Sequence, residues 1–180
     1  MKKLTLLRHA KSGDGDQQQR DFDRALSPRG ERAARLVGRH LRALGAGFDE
    51  VVASDAVRVV QTLEGVEAGY GRPLGTRWDR RIYLASAVTL LDIVQALPER
   101  AETALLAGHN PGLEDLILLL VPDTAGDALR AEVEAKFPTA SVATLELDVQ
   151  SWADIAKGTA RLTSFTRPRD LDPSLGPGED

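Results

Sequence analysis

The sequence contains no cysteine and few aromatic residues. The absence of cysteine excludes disulfides, thiolate nucleophiles and metal sites built on cysteine. Aromatic residues make up 4% of the 180 positions and the formal net charge is −4, a composition that disfavours general nucleic-acid binding. The three histidines lack the His-x-x-x-His spacing of a common metal site, so we expect no metal and no other cofactor.

Long hydrophobic runs are also missing. The apolar run that begins at Leu4 stops at Arg8, and the run from Leu116 ends at Pro122. Both are far shorter than the ~18 apolar residues that span a membrane. We therefore predict a cytoplasmic protein with no membrane segment and no secretion signal.

The remaining composition is that of a globular protein, with 42% apolar and 28% charged residues. A chain of 180 residues can bury enough surface for one core. The last residues are rich in proline, glycine and acids, a composition typical of a frayed terminus. We predict a single domain over residues 1–167 and a flexible tail over residues 168–180.

Short apolar segments alternate along the chain with segments of helical periodicity. This alternation predicts a three-layer α/β/α sandwich around a mostly parallel sheet. The predicted strands are 4–7, 51–53, 103–107, 141–147 and 161–165. The predicted helices begin near Ser27-Pro28, after Ser54 as N-cap, at Ala87 and at Asn110-Pro111.

Polar residues follow three of the predicted strands, at the point where each strand ends. They are Arg8-His9, the segment 54–58 and Gly108-His109-Asn110. Ligands of such sheets bind beyond the carboxyl ends of the strands, where helix N-termini also point. Guanidinium forks, an imidazole and backbone N–H groups together suit a phosphoryl group. The sequence therefore predicts a phosphate pocket at this edge.

These motifs resemble those of the histidine phosphatase superfamily. Leu6-Leu7-Arg8-His9-Ala10 is similar to the family's Arg-His-Gly signature, the segment 52–62 to its second-arginine motif, and Gly108-His109-Asn110-Pro111 to its second-histidine motif. The short chain resembles the SixA-type phosphohistidine phosphatase branch. The resemblance implies a phosphoglycerate mutase-like fold.

The resemblance also implies roles for four residues. His9 would attack phosphorus and form a phosphohistidine intermediate, while Arg8, Arg58 and His109 would hold the phosphoryl oxygens. The chemistry is consistent, because an imidazole is largely a free base at neutral pH. Arginines can stabilise the charge that spreads over the phosphoryl oxygens, so no metal is required. Further candidates for phosphate or substrate contact are Ser12, Ser54, Asn110 and Lys11.

The sequence departs from the family in one respect. Many members carry a carboxylic acid between the second-arginine and second-histidine motifs, where it protonates an alkoxide leaving group. Here Asp79 is a weak candidate and Tyr83 lies near the expected place. Because imidazole leaves without such help more readily than an alkoxide, a missing acid favours a P–N substrate.

The sequence thus favours a phosphohistidine phosphatase that acts on a phosphotransfer protein. The alternatives are a phosphomonoesterase acting on a small phosphate ester and a non-catalytic phosphate-binding module. The polar segment from Asp14 to Asp23 is either part of the pocket rim or an exposed loop, and the sequence leaves both readings open.

Overall fold

A six-stranded mixed sheet forms the centre of the protein. The computed structural model describes residues 1–176. The strand order is β3-β2-β4-β1-β5-β6. Strands β1 to β4 are mutually parallel, and β5 is antiparallel to both of its neighbours, β1 and β6. The strands are β1 Lys2–Arg8, β2 Glu50–Ala53, β3 Arg77–Trp78, β4 Thr103–Gly108, β5 Val142–Leu147 and β6 Ala160–Thr166.

Helices cover both faces of the sheet. They are α1 Pro28–Ala43, α2 Val57–Tyr70, α3 Ala87–Gln95, α4 Gly112–Leu120, α5 Ala128–Ala135 and α6 Pro168–Leu171. Successive strand residues point to opposite faces. In β4, Leu105 packs with α1 and α2, whereas Leu106 packs with α3, α4 and α5. The predicted three-layer α/β/α sandwich is confirmed.

Several boundaries differ from the prediction. Helix α2 begins at Val57 with Ala56 as N-cap, because the hydroxyl of Ser54 accepts from Ala56 N and contacts His109. Helix α4 begins at Gly112, not directly after Asn110. Two elements had no sequence signal strong enough to predict them. Strand β3 has two exposed residues, and α5 is a short amphipathic helix.

The tail predicted to be flexible from residue 168 also differs. Pro168–Leu171 forms α6, in which Pro168 is buried and the Asp170 carboxylate accepts from the backbone N–H of Arg167. Pro173–Leu175 forms a 3-10 turn. Residues 177–180 of this tail lie outside the described residues. Within residues 1–176, no helix is both long and apolar enough to cross a membrane.

Helices α1 and α2 pack so closely that glycine is required between them. A Cβ atom on Gly38 would lie 2.1 Å from the carbonyl oxygen of Val66, and one on Gly69 would lie 2.1 Å from that of Arg35. Both contacts are with backbone, which cannot move without separating the helices. Because α1 and α2 carry one wall of the core, this packing also fixes the position of Arg58, which lies in the first turn of α2.

Replacing Gly38 with alanine should therefore destabilise the protein although alanine is the better helix former. We expect the free energy of unfolding to fall by about 2–3 kcal/mol, the usual cost of overpacking. Urea denaturation measures this change in the free energy of unfolding. The matched control is Gly47→Ala, since a Cβ there has nothing within 4 Å, and its effect should stay within about 0.5 kcal/mol. Equal stability of the two variants would contradict the close packing.

Candidate active site

Three neighbouring strands end at the same level of the sheet and place their following residues together. Strand β4 lies between β2 and β1. Arg8 of β1 is in register with Gly108 of β4, and Ala53 of β2 is in register with Ala107. The chain leaves all three strands immediately afterwards, so His9, Ser54 and His109 emerge at one edge.

His9 is buried, with 8% of its surface exposed, and its hydrogen bonds define its tautomer. The Nδ1 atom lies 2.8 Å from the carbonyl oxygen of Ala10. A carbonyl only accepts, so Nδ1 carries the proton. The lone pair is then on Nε2, which accepts from Arg58 Nε at 3.4 Å. The unprotonated nitrogen of His9 therefore faces the cationic side of the site.

His109 has the opposite tautomer. Its Nδ1 atom lies 3.4 Å from Arg58 Nη2, and its Nε2 atom lies 2.8 Å from Ser54 Oγ. Since arginine only donates, Nδ1 accepts and Nε2 donates to Ser54. The His9 and His109 rings lie 5.4 Å apart between centroids. Both imidazoles thus turn an unprotonated nitrogen toward the same guanidinium.

Arg58 is the centre of the cluster. Its side chain is 5% exposed, and besides the two histidines it contacts Asp21. Nη1 donates to the Asp21 backbone oxygen at 2.8 Å, and Nη2 donates to its carboxylate at 3.0 Å. The Tyr83 hydroxyl donates to the same carboxylate oxygen at 2.5 Å. The Asp21 carboxylate is thus paired with the Arg58 guanidinium, whose planar geometry also suits phosphoryl oxygens.

Arg8 and Asn110 share one anchor on the other side of the site. Arg8 Nη1 donates to the backbone oxygen of Phe137 at 2.9 Å, and Asn110 Nδ2 donates to the same oxygen at 3.3 Å. Asn110 Oδ1 accepts from the backbone N–H of Glu114 in α4. Asn110 therefore links the helix start to the segment that holds Arg8.

Comparison with known proteins identifies the family. Residues 4–80 match the family model of the histidine phosphatase superfamily, branch 1. An uncharacterized protein of Mycobacterium tuberculosis is 37% identical over 164 residues, which are 91% of this chain and 100% of that protein. The SixA protein of Nakamurella multipartitia, a candidate phosphohistidine phosphatase, is 32% identical with a TM-score of 0.81, over 93% of this chain and 96% of that chain. The chain belongs to the histidine phosphatase superfamily.

A second SixA structure supports the same branch. The candidate phosphohistidine phosphatase SixA of Agrobacterium tumefaciens is 27% identical with a TM-score of 0.76, and the match covers 93% of this chain and 98% of that chain. The protein is thus a SixA-type histidine phosphatase with a phosphoglycerate mutase-like fold. Within residues 1–176 of this phosphatase, no three His, Asp or Glu side chains form a group that could hold a metal ion.

Burial keeps both histidines of this phosphatase uncharged. It lowers the pKa of His9 to about 3, with further lowering by His109, Arg8 and Arg58. Burial, followed by Arg58, lowers the pKa of His109 to about 4. Protonating either ring would place another positive charge beside the arginines. At neutral pH the site therefore combines cationic donors with a free imidazole base, which can attack an electrophilic phosphorus.

These pKa values make the stability of the phosphatase depend on pH. Between about 3 and 6.5 the unfolded chain binds protons that the folded His9 does not bind. The free energy of unfolding therefore has its largest value above pH 6.5, where the unfolded histidines are also neutral. It should fall as the pH decreases below 6.5, by up to about 1.4 kcal/mol per pH unit for each buried histidine.

Urea denaturation at about pH 7 and about pH 5 measures this dependence. The His9→Gln variant removes one titrating group and should show a shallower dependence than the wild type. An unchanged unfolding free energy at the two pH values would contradict the buried, neutral histidines.

The structure places the remaining predicted site residues as follows. Ser54 contacts His109 directly. Ser12 accepts from Arg24 Nη2 at 2.8 Å and, within residues 1–176, makes no hydrogen bond to the two histidines or Arg58. The Asp79 carboxylate caps the turn at Arg80–Ile82 and pairs with Arg81. It is therefore engaged away from the cluster, and its pKa is lowered by the hydrogen bond from Arg81.

Three residues to which the sequence assigned no role complete the site. Asp21 belongs to the segment 14–23, so part of that segment forms the rim. Tyr83 donates to Asp21 and packs edge-on against His109 with ring centroids 5.3 Å apart. Thr62 accepts from Ala10 N and donates to the Arg58 backbone oxygen, which joins the loop after β1 to α2. Thr62 lies within the second-arginine motif and Tyr83 lies near the place expected of the family's acid, whereas no local spacing marks Asp21.

Proposed function

We propose that this phosphatase hydrolyses protein phosphohistidine through a covalent intermediate on His9. The observation that carries the proposal is the protonation state of the Asp21 carboxyl group. The hydrogen bond from Tyr83, followed by that from Arg58, lowers the pKa of Asp21 to about 2. An ionised carboxylate cannot protonate an alkoxide. Because the larger cause, the hydrogen bond from Tyr83, does not depend on Arg58, Asp21 is a poor general acid for ester cleavage.

The proposed reaction has two displacements at phosphorus. His9 Nε2 forms a bond to phosphorus while the bond from phosphorus to the substrate imidazole breaks. When the second nitrogen of the substrate ring is protonated, the ring leaves as neutral imidazole and needs no added proton. Water then attacks the phosphorus on His9, the N–P bond breaks, and inorganic phosphate and free His9 result.

Three donors would stabilise the phosphoryl group during these steps. Arg8 and Arg58 offer charged forks to the phosphoryl oxygens. Arg58 would exchange the Asp21 carboxylate for the substrate, because both anions use the same guanidinium. His109 would take up a proton from solvent on Nδ1 beside the phosphoryl anion, while Nε2 keeps its hydrogen bond to Ser54. The likeness to the SixA structures supports the phosphohistidine substrate, and a phosphotransfer protein is its proposed carrier.

A second candidate function is supported by one other carboxyl group. Glu114, in the first turn of α4, has its pKa raised, first by burial and then by Asp115. Such a carboxyl group can remain protonated at higher pH and act as a general acid. If it reached the leaving group, the enzyme would be a phosphomonoesterase acting on small phosphate esters.

The decisive experiment compares two substrates in the presence of EDTA. We expect rapid loss of phosphate from a phosphohistidine-bearing phosphotransfer domain and slow cleavage of an alkyl phosphate such as glycerol 3-phosphate, whose alkoxide needs a proton donor. The opposite preference, removed by Glu114→Gln, would establish the phosphomonoesterase. Inactivity toward both substrates with retained phosphate binding would establish a non-catalytic module. If EDTA removed activity and zinc or magnesium restored it, the metal-free mechanism would be contradicted.

A further inference from the structure

A second pocket, here named the basic pocket, lies beside the proposed active site. It is open to solvent, has a cavity volume of about 30 Å³, and lies between the loop after β1, the start of α1, the segment before β5 and the region of α6. Apolar surface from Pro138, Pro168 and Leu175 forms part of its wall. Its cationic lining residues are Lys11, Arg29, Lys136, Arg167 and Arg169.

The lining of this pocket is positively charged, in contrast to the negative net charge of the chain. The chain has a net charge of −4, yet five of the described lining residues are cationic and none is acidic. Arg167 is paired with Asp170, and Arg29 Nη2 donates to the Gly176 backbone oxygen at 3.2 Å. Arg29 also lies in the first turn of α1, where the helix dipole disfavours a cation. An anion bound beside Arg29 would offset this unfavourable interaction with the helix dipole.

The basic pocket is connected to the proposed active site through the backbone. Lys11 follows His9 by two residues, so their Cα atoms are at most about 7 Å apart. On the opposite wall, Phe137 lies between Lys136 and Pro138, and its backbone oxygen accepts from Arg8. One substrate molecule could thus place a phosphoryl group on His9 and a second anionic group in the basic pocket.

We propose that the basic pocket binds acidic side chains next to the phosphohistidine of a protein substrate. The inference rests on the proposed function and adds a substrate preference to it. Guanidinium forks match carboxylates, and the adjacent proline and leucine surfaces can pack against the aliphatic parts of glutamate side chains and a peptide backbone. The pocket draws its lining from four separated segments of the chain, an arrangement that suits an extended peptide.

Synthetic peptides test the inference. One phosphohistidine peptide is flanked by glutamates, a second by glutamines, and free phosphohistidine has no flank. We expect the wild type to prefer the glutamate peptide roughly tenfold in kcat/KM, mainly through KM. Arg29→Glu with Arg169→Glu should reduce this preference to about one and leave kcat/KM for free phosphohistidine unchanged. High salt should weaken the preference in the wild type.

The matched control is Arg39→Glu with Arg42→Glu, an equal charge change on two exposed residues of α1, at least ten residues or about 15 Å along the helix from Arg29. It should retain the preference. Equal rates on the two peptides in the wild type, or an undiminished preference in the double variant, would overturn the inference.

Binding of the unphosphorylated glutamate peptide, measured by fluorescence anisotropy, separates this inference from the proposed function. Tighter binding of that peptide to the wild type than to the double variant would support the basic pocket even if no phosphohistidine were hydrolysed. Equal binding would contradict it even if hydrolysis were rapid.

Discussion

Replacing His9 with alanine is expected to lower kcat by at least roughly 10⁴-fold, on every substrate that the enzyme accepts. His9 is the imidazole whose unprotonated Nε2 atom faces Arg58. Burial lowers its pKa to about 3, so it is a free base without help from a neighbouring group. Without it, water would have to attack phosphorus directly, and the covalent route would be lost.

Two measurements check this prediction. Steady-state rates are compared for the wild type, His9→Ala and the control His40→Ala, in which a half-buried histidine of α1 is removed. Acid-labile and alkali-stable radioactive phosphate should be trapped on the wild type and absent from His9→Ala. A variant that kept more than a few per cent of the wild-type rate, or incorporated phosphate, would show that the nucleophile is another group.

Replacing Arg58 with alanine should lower kcat/KM by roughly 10² to 10³-fold, the usual effect of removing one charged donor from a transition state. Arg58 is buried, and its guanidinium is the common neighbour of His9, His109 and Asp21. Its removal takes away the proposed phosphoryl contact and also the cation that holds the Asp21 carboxylate. We therefore expect lower kcat together with weaker binding of inorganic phosphate.

Arg58→Lys and Asp21→Asn separate these two effects. Lysine keeps the charge but lacks the planar fork, so its activity should lie between those of the wild type and Arg58→Ala. Asp21→Asn removes the anion that occupies Arg58, and phosphate should then bind more tightly than to the wild type. An Arg58→Ala variant with unchanged phosphate affinity and rate would contradict a role for this guanidinium in the reaction.

Local sequence was informative where one segment supplies its own pattern. Short apolar runs that end at Arg8, Ser54 and His109 predicted the parallel strands and the edge at which those residues meet. The alternation of strands and helices predicted the layers, because each pattern reflects burial of a segment's own face. The two-residue β3 was missed because its pairing with β2 carries no apolar run of its own.

Contacts between distant segments could not be predicted from such local patterns. The sequence predicted Ser54 as a helix N-cap, yet its hydroxyl is hydrogen-bonded to His109, which is 55 positions away in the chain. Asp21 reaches Arg58 across 37 positions and Tyr83 across 62. Nothing in the spacing around Asp21 distinguishes it from the other acids of its loop. Such pairs depend on how whole helices and loops pack, which local periodicity does not encode.

The sequence by itself determined the fold class, the family resemblance and the edge that carries Arg8, His9, Arg58 and His109, since these follow from strand ends and motif order. Only the tertiary structure decided the tautomers of His9 and His109, the ionised carboxylate of Asp21 on Arg58, and the separate basic pocket. The physical reason is that protonation and charge pairing depend on burial and on distances between side chains, and both arise only when remote segments pack together.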